Sequence, residues 1–436
     1  MKLNKFKIKN KKTQNIIFLF IYSIALIGIV YFATSYAYYE EKKDFDIING
    51  TSEDPGDIYF AYYIDGTISR SMPDQNTGYT LDEEKSNCNN GVTLSFDYSI
   101  WEAKEIYTNY NTSTNTRTKC TLYFNKTSKT ISTVLGNLEV NSYTPDFTKS
   151  ACDDTSCESH EKGIFETTDY DGNPTYYYRG SVENNYVKFA GYYWRIIRIN
   201  SNGSIRMIYD GTSAHDNGEA AEDRMYGKSE FNDSNNDNIY VGYEYQNSVA
   251  HGYGTPSIIK QNITKFYSDK LASYNSFLDT KVGFCNDRTS LNEDNNVGTG
   301  TVITYYSGYL RLASSKPDLG CNNSDHFVDI GQGLITADEI MLSGFSGGFL
   351  SGNYNFSKTS TNSYLCIGYA FWTMTPLGYY SPFKAGNNKG ALLYFVSKIG
   401  GEHYANMLFG LRPVINIRSD VTVTGSGTKN DPYLVN

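Results

Sequence analysis

The chain has 436 residues, 40 of them tyrosine, and a formal net charge of −9 at pH 7. Six lysines are the only charges in residues 1–12, so the remainder sets 32 basic against 47 acidic side chains. An acidic bulk excludes a nucleic-acid binder, which needs a basic footprint, and the length suffices for two or three domains with a real core.

Lys2, Lys5, Lys7, Lys9, Lys11 and Lys12 precede a charge-free run from Asn15 to Tyr39. Its apolar centre, Ile16 to Ala33, is long enough to span a bilayer core, which takes roughly 20 residues. Residues 1–14 then form a cytoplasmic basic tail and 15–39 a transmembrane anchor. Lysines hold the N-terminus inside, so everything after Tyr39 lies outside the cell membrane. A cleaved signal peptide ending at Ser35-Tyr36-Ala37 is the competing reading; the length of the apolar run favours the anchor. Either way the bulk is extracytoplasmic, where disulfides form. Of seven cysteines, Cys88 is paired with Cys120, Cys152 with Cys157 and Cys285 with Cys321, leaving Cys366 as a core residue. Sequence alone does not prove that connectivity. No closely spaced Cys/His pairs of a zinc site occur.

Residues 40–54 read as a linker and 55–127 as a small all-β, sandwich-like module. Asp57 to Ile64 is a strand, Asp65-Gly66 a hairpin turn, and Val92 to Phe96 and Lys119 to Phe124 are further strands. A Cys88–Cys120 bridge would staple so small a unit. Residues 128–162 read as a Ser-, Thr- and Asp-rich linker with a Cys152–Cys157 loop, and 163–436 as the main domain. There, Gly191 to Tyr209 predicts a hairpin about Ser201–Ser204, with Trp194 and Ile196 inward and Arg195 and Arg198 outward. One helix is expected to open at Thr255-Pro256, with Ile259, Ile263, Phe266 and Lys270 on one side and Tyr267 and Leu271 adjoining it. A second opens at Thr336 in a capping box with Glu339 and ends near Gly344.

Asp233, Asn235, Asp237 and Glu244 match the ligand spacing of a calcium loop, with Asn238 where that loop wants glycine. Tyr240 and the lack of flanking helices leave an ordinary Asp/Asn-rich turn as the other reading. Calcium is the one cofactor this pattern admits. Finally, Leu392 to Val396 and Leu411 to Ile417 predict strands. Around them sit Tyr379, Tyr380, Phe383, Asn387, Asn388, His403, Tyr404 and Asn406. Aromatics and amides on scaffolded loops suit recognition; the plainer alternative is the last hairpin of a core.

The wording Trp372-Thr-Met-Thr-Pro376 followed by Gly410-Leu-Arg-Pro-Val-Ile-Asn-Ile417 resembles the end of C-type-lectin-like domains of Firmicutes-type bacterial surface proteins. The runs Tyr176 to Asn200, Phe284 to Arg288 and Leu334 to Glu339 resemble the same family, so the resemblance spans about Tyr176 to Val435. It implies an α+β fold, two or more helices packed on mixed or antiparallel sheets. That fold is shared with formylglycine-generating enzymes and retroelement variable proteins. Those enzymes use a close cysteine pair near the C-terminus, where this chain has only Cys366. No phosphate-binding glycine loop, nucleophile elbow or zinc-protease motif occurs. The expectation is therefore a non-catalytic, membrane-anchored protein that binds an extracellular glycan or protein through its C-terminal loops. A structural surface or fibre subunit is the alternative, ahead of an oxidase.

Overall fold

The structure, a computed structural model, describes residues 58–74, 79–89, 91–97, 100–107, 118–126, 129–151, 159–291, 297–321, 327–328, 331–346, 363–381, 388–396 and 401–435. The expected tail, span and first linker (1–54) and the Cys152–Cys157 loop lie outside these residues. Among the described residues no helix is long and apolar enough to cross a membrane. The chain divides into two compact units after Lys126.

The small unit is built from β1 (Ile58–Ile64), β2 (Thr67–Ser69), β3 (Tyr79–Leu81), β4 (Asn87–Cys88), β5 (Val92–Asp97), β6 (Glu102–Tyr107) and β7 (Thr118–Lys126). Asp65-Gly66, both at positive φ, turn β1 into β2. β7 lies parallel to β1 on one side and antiparallel to β3 and β4 on the other. Its alternation buries Thr118, Cys120, Leu122 and Phe124 on one face, as a half-covered strand requires. Leu81, Val92 and Trp101 complete this core, and the Cys88–Cys120 disulfide ties β4 to β7.

The large unit is strand-rich with a few short helices. Its eleven-stranded sheet collects β8 (Lys129–Thr130), β9 (Val140–Asn141), β10 (Gly163–Thr168), β11 (Pro174–Arg179), β12 (Tyr186–Phe189), β13 (Tyr192–Ile199), β14 (Ile205–Gly211), β21 (Gln332–Gly333), β26 (Val414–Ile417), β27 (Thr422–Thr424) and β28 (Tyr433–Val435). A six-stranded sheet joins β15 (Gly227–Ser229), β19 (Thr304–Tyr305), β22 (Phe371–Tyr380), β23 (Gly390–Val396), β24 (Gly401–Tyr404) and β25 (Phe409–Leu411). Two short pairs, β16 (Glu244–Tyr245) with β17 (Thr255–Pro256) and β18 (Phe284–Cys285) with β20 (Phe327–Val328), stand apart. Helices α1 (Ile131–Gly136), α2 (Ile258–Phe266), α3 (Ser307–Ser314) and α4 (Ala337–Leu342) complete it. One continuous core runs through Trp194, Ile263, Cys366 and Trp372. A Cys285–Cys321 disulfide is also present.

Four expectations need correction. Residues 129–151 are not a linker: β8, α1 and β9 belong to the large unit, and Ile131 and Leu135 are buried in its core. Their four-residue spacing, a helical repeat, is easily lost in a Ser/Thr-rich stretch. The helix expected at Thr255-Pro256 opens at Ile258, because Thr255 and Pro256 pair as a strand and Ser257 caps instead, its Oγ accepting from Lys260 N at 3.3 Å. A π turn over 267–271 then inserts one residue, so Lys270 leaves the apolar side and is exposed, while the adjoining Leu271 is buried. Lastly, Arg195 and Arg198 do not face solvent: they are 0% and 8% exposed. β13 is buried on both faces from Trp194 to Arg198, so alternation does not separate core from solvent there. Arg195 reaches Asn185, with Nε to Oδ1 at 2.7 Å. Arg198 Nε donates to Glu339 of α4 at 2.8 Å. The capping box that starts α4 is as expected, with Glu339 N donating to Thr336 Oγ1 at 3.1 Å.

Candidate functional site

The segment predicted to carry ligand contacts is mostly strand. Tyr379 and Tyr380 end β22 and are buried, 4% and 6% exposed, and so are not loop residues. The run from Phe371 to Tyr380 is covered on both faces, which a sequence without clear alternation does not announce. His403 and Tyr404 lie on β24, the edge of the six-stranded sheet, and are half-buried. Asn388 and Asn406 are exposed. Phe383 and Asn387 lie outside the described residues.

Cross-strand pairing decides which of these meet. Glu402 opposes Tyr394 and Tyr404 opposes Leu392, so Glu402 and Tyr404 share one face and His403 takes the other. On the first face, Tyr380 donates its hydroxyl to the Glu402 carboxylate. Tyr305 stacks on Tyr380 with ring centres 4.7 Å apart, and Tyr309 meets it edge-on at 5.5 Å. Gly378 permits this arrangement: a Cβ there would collide with the Thr304 carbonyl and push β19 off β22. Burial raises the Glu402 carboxyl to about 7, against the opposing effect of the Tyr380 hydrogen bond. Burial, then the Glu402 charge, pushes Tyr309 up to about 12. Tyr404 donates to the Asn388 carbonyl at 2.6 Å, closing the end of the β22–β23 connection.

On the opposite face, Phe395 stacks on Phe409 at 4.7 Å and His403 meets both edge-on. Burial holds the His403 imidazole below its ordinary value, and its Nδ1 accepts from Tyr404 N at 3.0 Å. The turn that follows exposes Met407 and Leu408, 37% and 59%.

The expected calcium residues separate into structural tasks. Asp237 caps a short 3-10 turn, its Oδ1 accepting from Ile239 N at 3.0 Å and from Gly300 N at 2.8 Å. Glu244 pairs with Lys260 of α2. The Asn235 carbonyl accepts from Ala391 N at 2.9 Å, and the Asn236 carbonyl from the Tyr379 hydroxyl at 3.4 Å. Asp233 N donates to Asn232 Oδ1 at 3.3 Å. Among the described residues no group of three or more His, Cys, Asp or Glu is placed to hold a metal ion. The turn thus buttresses the β22–β23 end of the sheet. Two predicted motifs, read separately in the sequence, meet in space.

Sequence reasoning missed Glu402, Tyr305, Tyr309, Phe395, Met407, Leu408 and Phe409. Glu402 left one signal, an acid flanked by strand residues. The tyrosines left none, because 40 tyrosines make any one unremarked. Comparison of the chain with protein-family models, with curated proteins and with solved structures finds no match.

Proposed function

We propose that the chain is an N-terminally anchored extracellular recognition protein, and that its large unit is a C-type-lectin-like domain binding a glycan or protein without doing chemistry. The observation that carries this is the end of the six-stranded sheet. There the exposed Asn406-Met407-Leu408 turn joins the half-buried His403 and Tyr404 of the edge strand β24 to the half-buried Phe409 of β25. Aromatic faces stack on sugar rings or fill protein pockets, and amides read hydroxyls. The lysine-then-apolar N-terminus supports membrane attachment, and the two disulfides among the described residues fit an oxidising exterior.

The test is binding of the full chain, in detergent micelles, to a glycan and cell-wall array, with and without a chelator. Leu408→Asp and Asn406→Ala alter exposed positions and leave the fold intact. A hit weakened about tenfold or more by them, 1.4 kcal/mol or above, supports the reading. Loss in chelator would show that binding needs a divalent cation. A blank array for folded protein that self-associates at micromolar concentration, disrupted by Leu408→Asp, moves the assignment to a structural surface subunit.

A further inference from the structure

The eleven-stranded sheet carries a groove that the recognition face does not use. Its cavity is about 420 Å³, lined by Asp169, Tyr170, Asp171, Arg198, Asn202 and Lys281 among others. That volume lies within the range of small-molecule sites, roughly 300–1,000 Å³. Two hairpin tips make its walls. β10 and β11 turn at Asp169–Asn173, where Asp169 Oδ1 accepts from Asp171 N at 3.0 Å and Asn173 N at 2.8 Å. β13 and β14 turn at Asn200–Ser204, where Asn202 Oδ1 accepts from Ser204 N at 3.0 Å. β11 pairs with β13 through Tyr176 and Ile199, which sets the tips side by side. The third wall, Lys281 to Gly283, is pinned by Arg206 Nη2 to the Gly283 carbonyl at 2.6 Å and Asn416 Nδ2 to the Val282 carbonyl at 3.2 Å.

Arg198 is the unexplained group. It is 8% exposed, and its Nε is engaged by Glu339. Its Nη1 and Nη2 make no hydrogen bond among the described residues, yet Arg198 lines both this groove and a water-sized cavity of about 30 Å³ behind it. Arg198 lines the groove with its side chain 10% exposed, and a guanidinium fork there matches a carboxylate held by two parallel hydrogen bonds. Lys281, exposed on the same wall, adds a second positive charge. Tyr170 on the groove wall is 42% exposed, and Asp169 and Asp171 supply carboxylates that accept from hydroxyls, while Asn202 is held by Asp279 at 2.7 Å and by Ser204.

We infer that this groove binds a carboxylate-bearing sugar, its carboxylate on Arg198 and Lys281 and its ring over Tyr170. The inference stands independently of the recognition face on the other sheet. Glucuronate, glucose and acetate are titrated by calorimetry and saturation-transfer NMR against the full chain in micelles. Glucuronate should bind, with glucose and acetate each about tenfold weaker or more. Lys281→Ala, at an exposed position, should weaken glucuronate several-fold, and Arg198→Lys more, with circular dichroism unchanged. Leu408→Asp should leave it unaltered. Equal binding of glucose or of acetate, no binding of glucuronate, or indifference to Lys281→Ala would each overturn the inference. If Arg198→Lys fails to fold, Lys281→Ala and the ligand series still decide.

Discussion

At the scale of single residues, the large unit is organised by arginines that burial makes expensive. Asp210, 1% exposed, accepts from Arg224 Nε at 2.8 Å and from Arg412 Nη2 at 2.7 Å. Both guanidiniums also donate to carbonyls of the segment after residue 362: Arg224 to Tyr364 at 2.9 Å and Arg412 to Leu365 at 3.3 Å. Burial pulls Arg412 down to about 9; Asp210 opposes this, while Arg224 and Arg195 add to it. Asp210→Ala would strand two buried charges, a loss of about 3–5 kcal/mol. Urea denaturation of the variant measures it, and a change under 1 kcal/mol would show that Asp210 does not hold this centre. Nothing in the sequence marks Asp210, because its partners lie 14 and 202 positions away.

At the scale of elements, β24 shows how an edge strand holds an acid. Glu402 has an ordinary carboxyl value of 4.5 and stands at about 7 in the fold. Between those values the folded protein binds more protons than the unfolded chain, so this group makes stability fall as pH rises toward 7, and the deficit persists above. Glu402→Gln removes the charge and keeps an acceptor for Tyr380. The variant should gain stability over the parent above pH 7, on the order of 2 kcal/mol, with the gain vanishing below pH 4.5. Unfolding at pH 4, 6 and 8 reads this difference; a parent more stable than the variant at pH 8 would contradict it. The same strand places the exposed Leu408 turn, so the acid–tyrosine cluster supports the face on which recognition is proposed.

At the scale of the whole molecule, the two units carry separate cores. Among the described residues the small core rests on five buried hydrophobic side chains, so its disulfide matters most. Cys88 and Cys120 are 32 positions apart, and closing a loop of that length is worth about 3–4 kcal/mol. Cys88→Ser with Cys120→Ser should lower the small unit's melting transition and leave the large unit's in place. Calorimetry distinguishes the two; a common shift of both would show that they unfold as one.

The sequence by itself determined the features that depend on near neighbours. The β13–β14 hairpin turns at its own Asn and Gly, α4 is started by a capping box four residues long, and the Cys88–Cys120 and Cys285–Cys321 bridges join consecutive cysteines of each unit. The apolar character of the strands around Trp372 was legible for the same reason, since composition reports burial. The tertiary structure decided what composition cannot report: which face each side chain takes. Arg195 and Arg198 read as solvent residues until helices and loops cover them, and Tyr379 and Tyr380 read as loop contacts until β19 and the Asn235 turn close over β22. Burial of a polar or aromatic side chain is set by partners far along the chain, so the acid–tyrosine cluster, the Asp210 centre and the Arg198 groove exist only once the fold has assembled them.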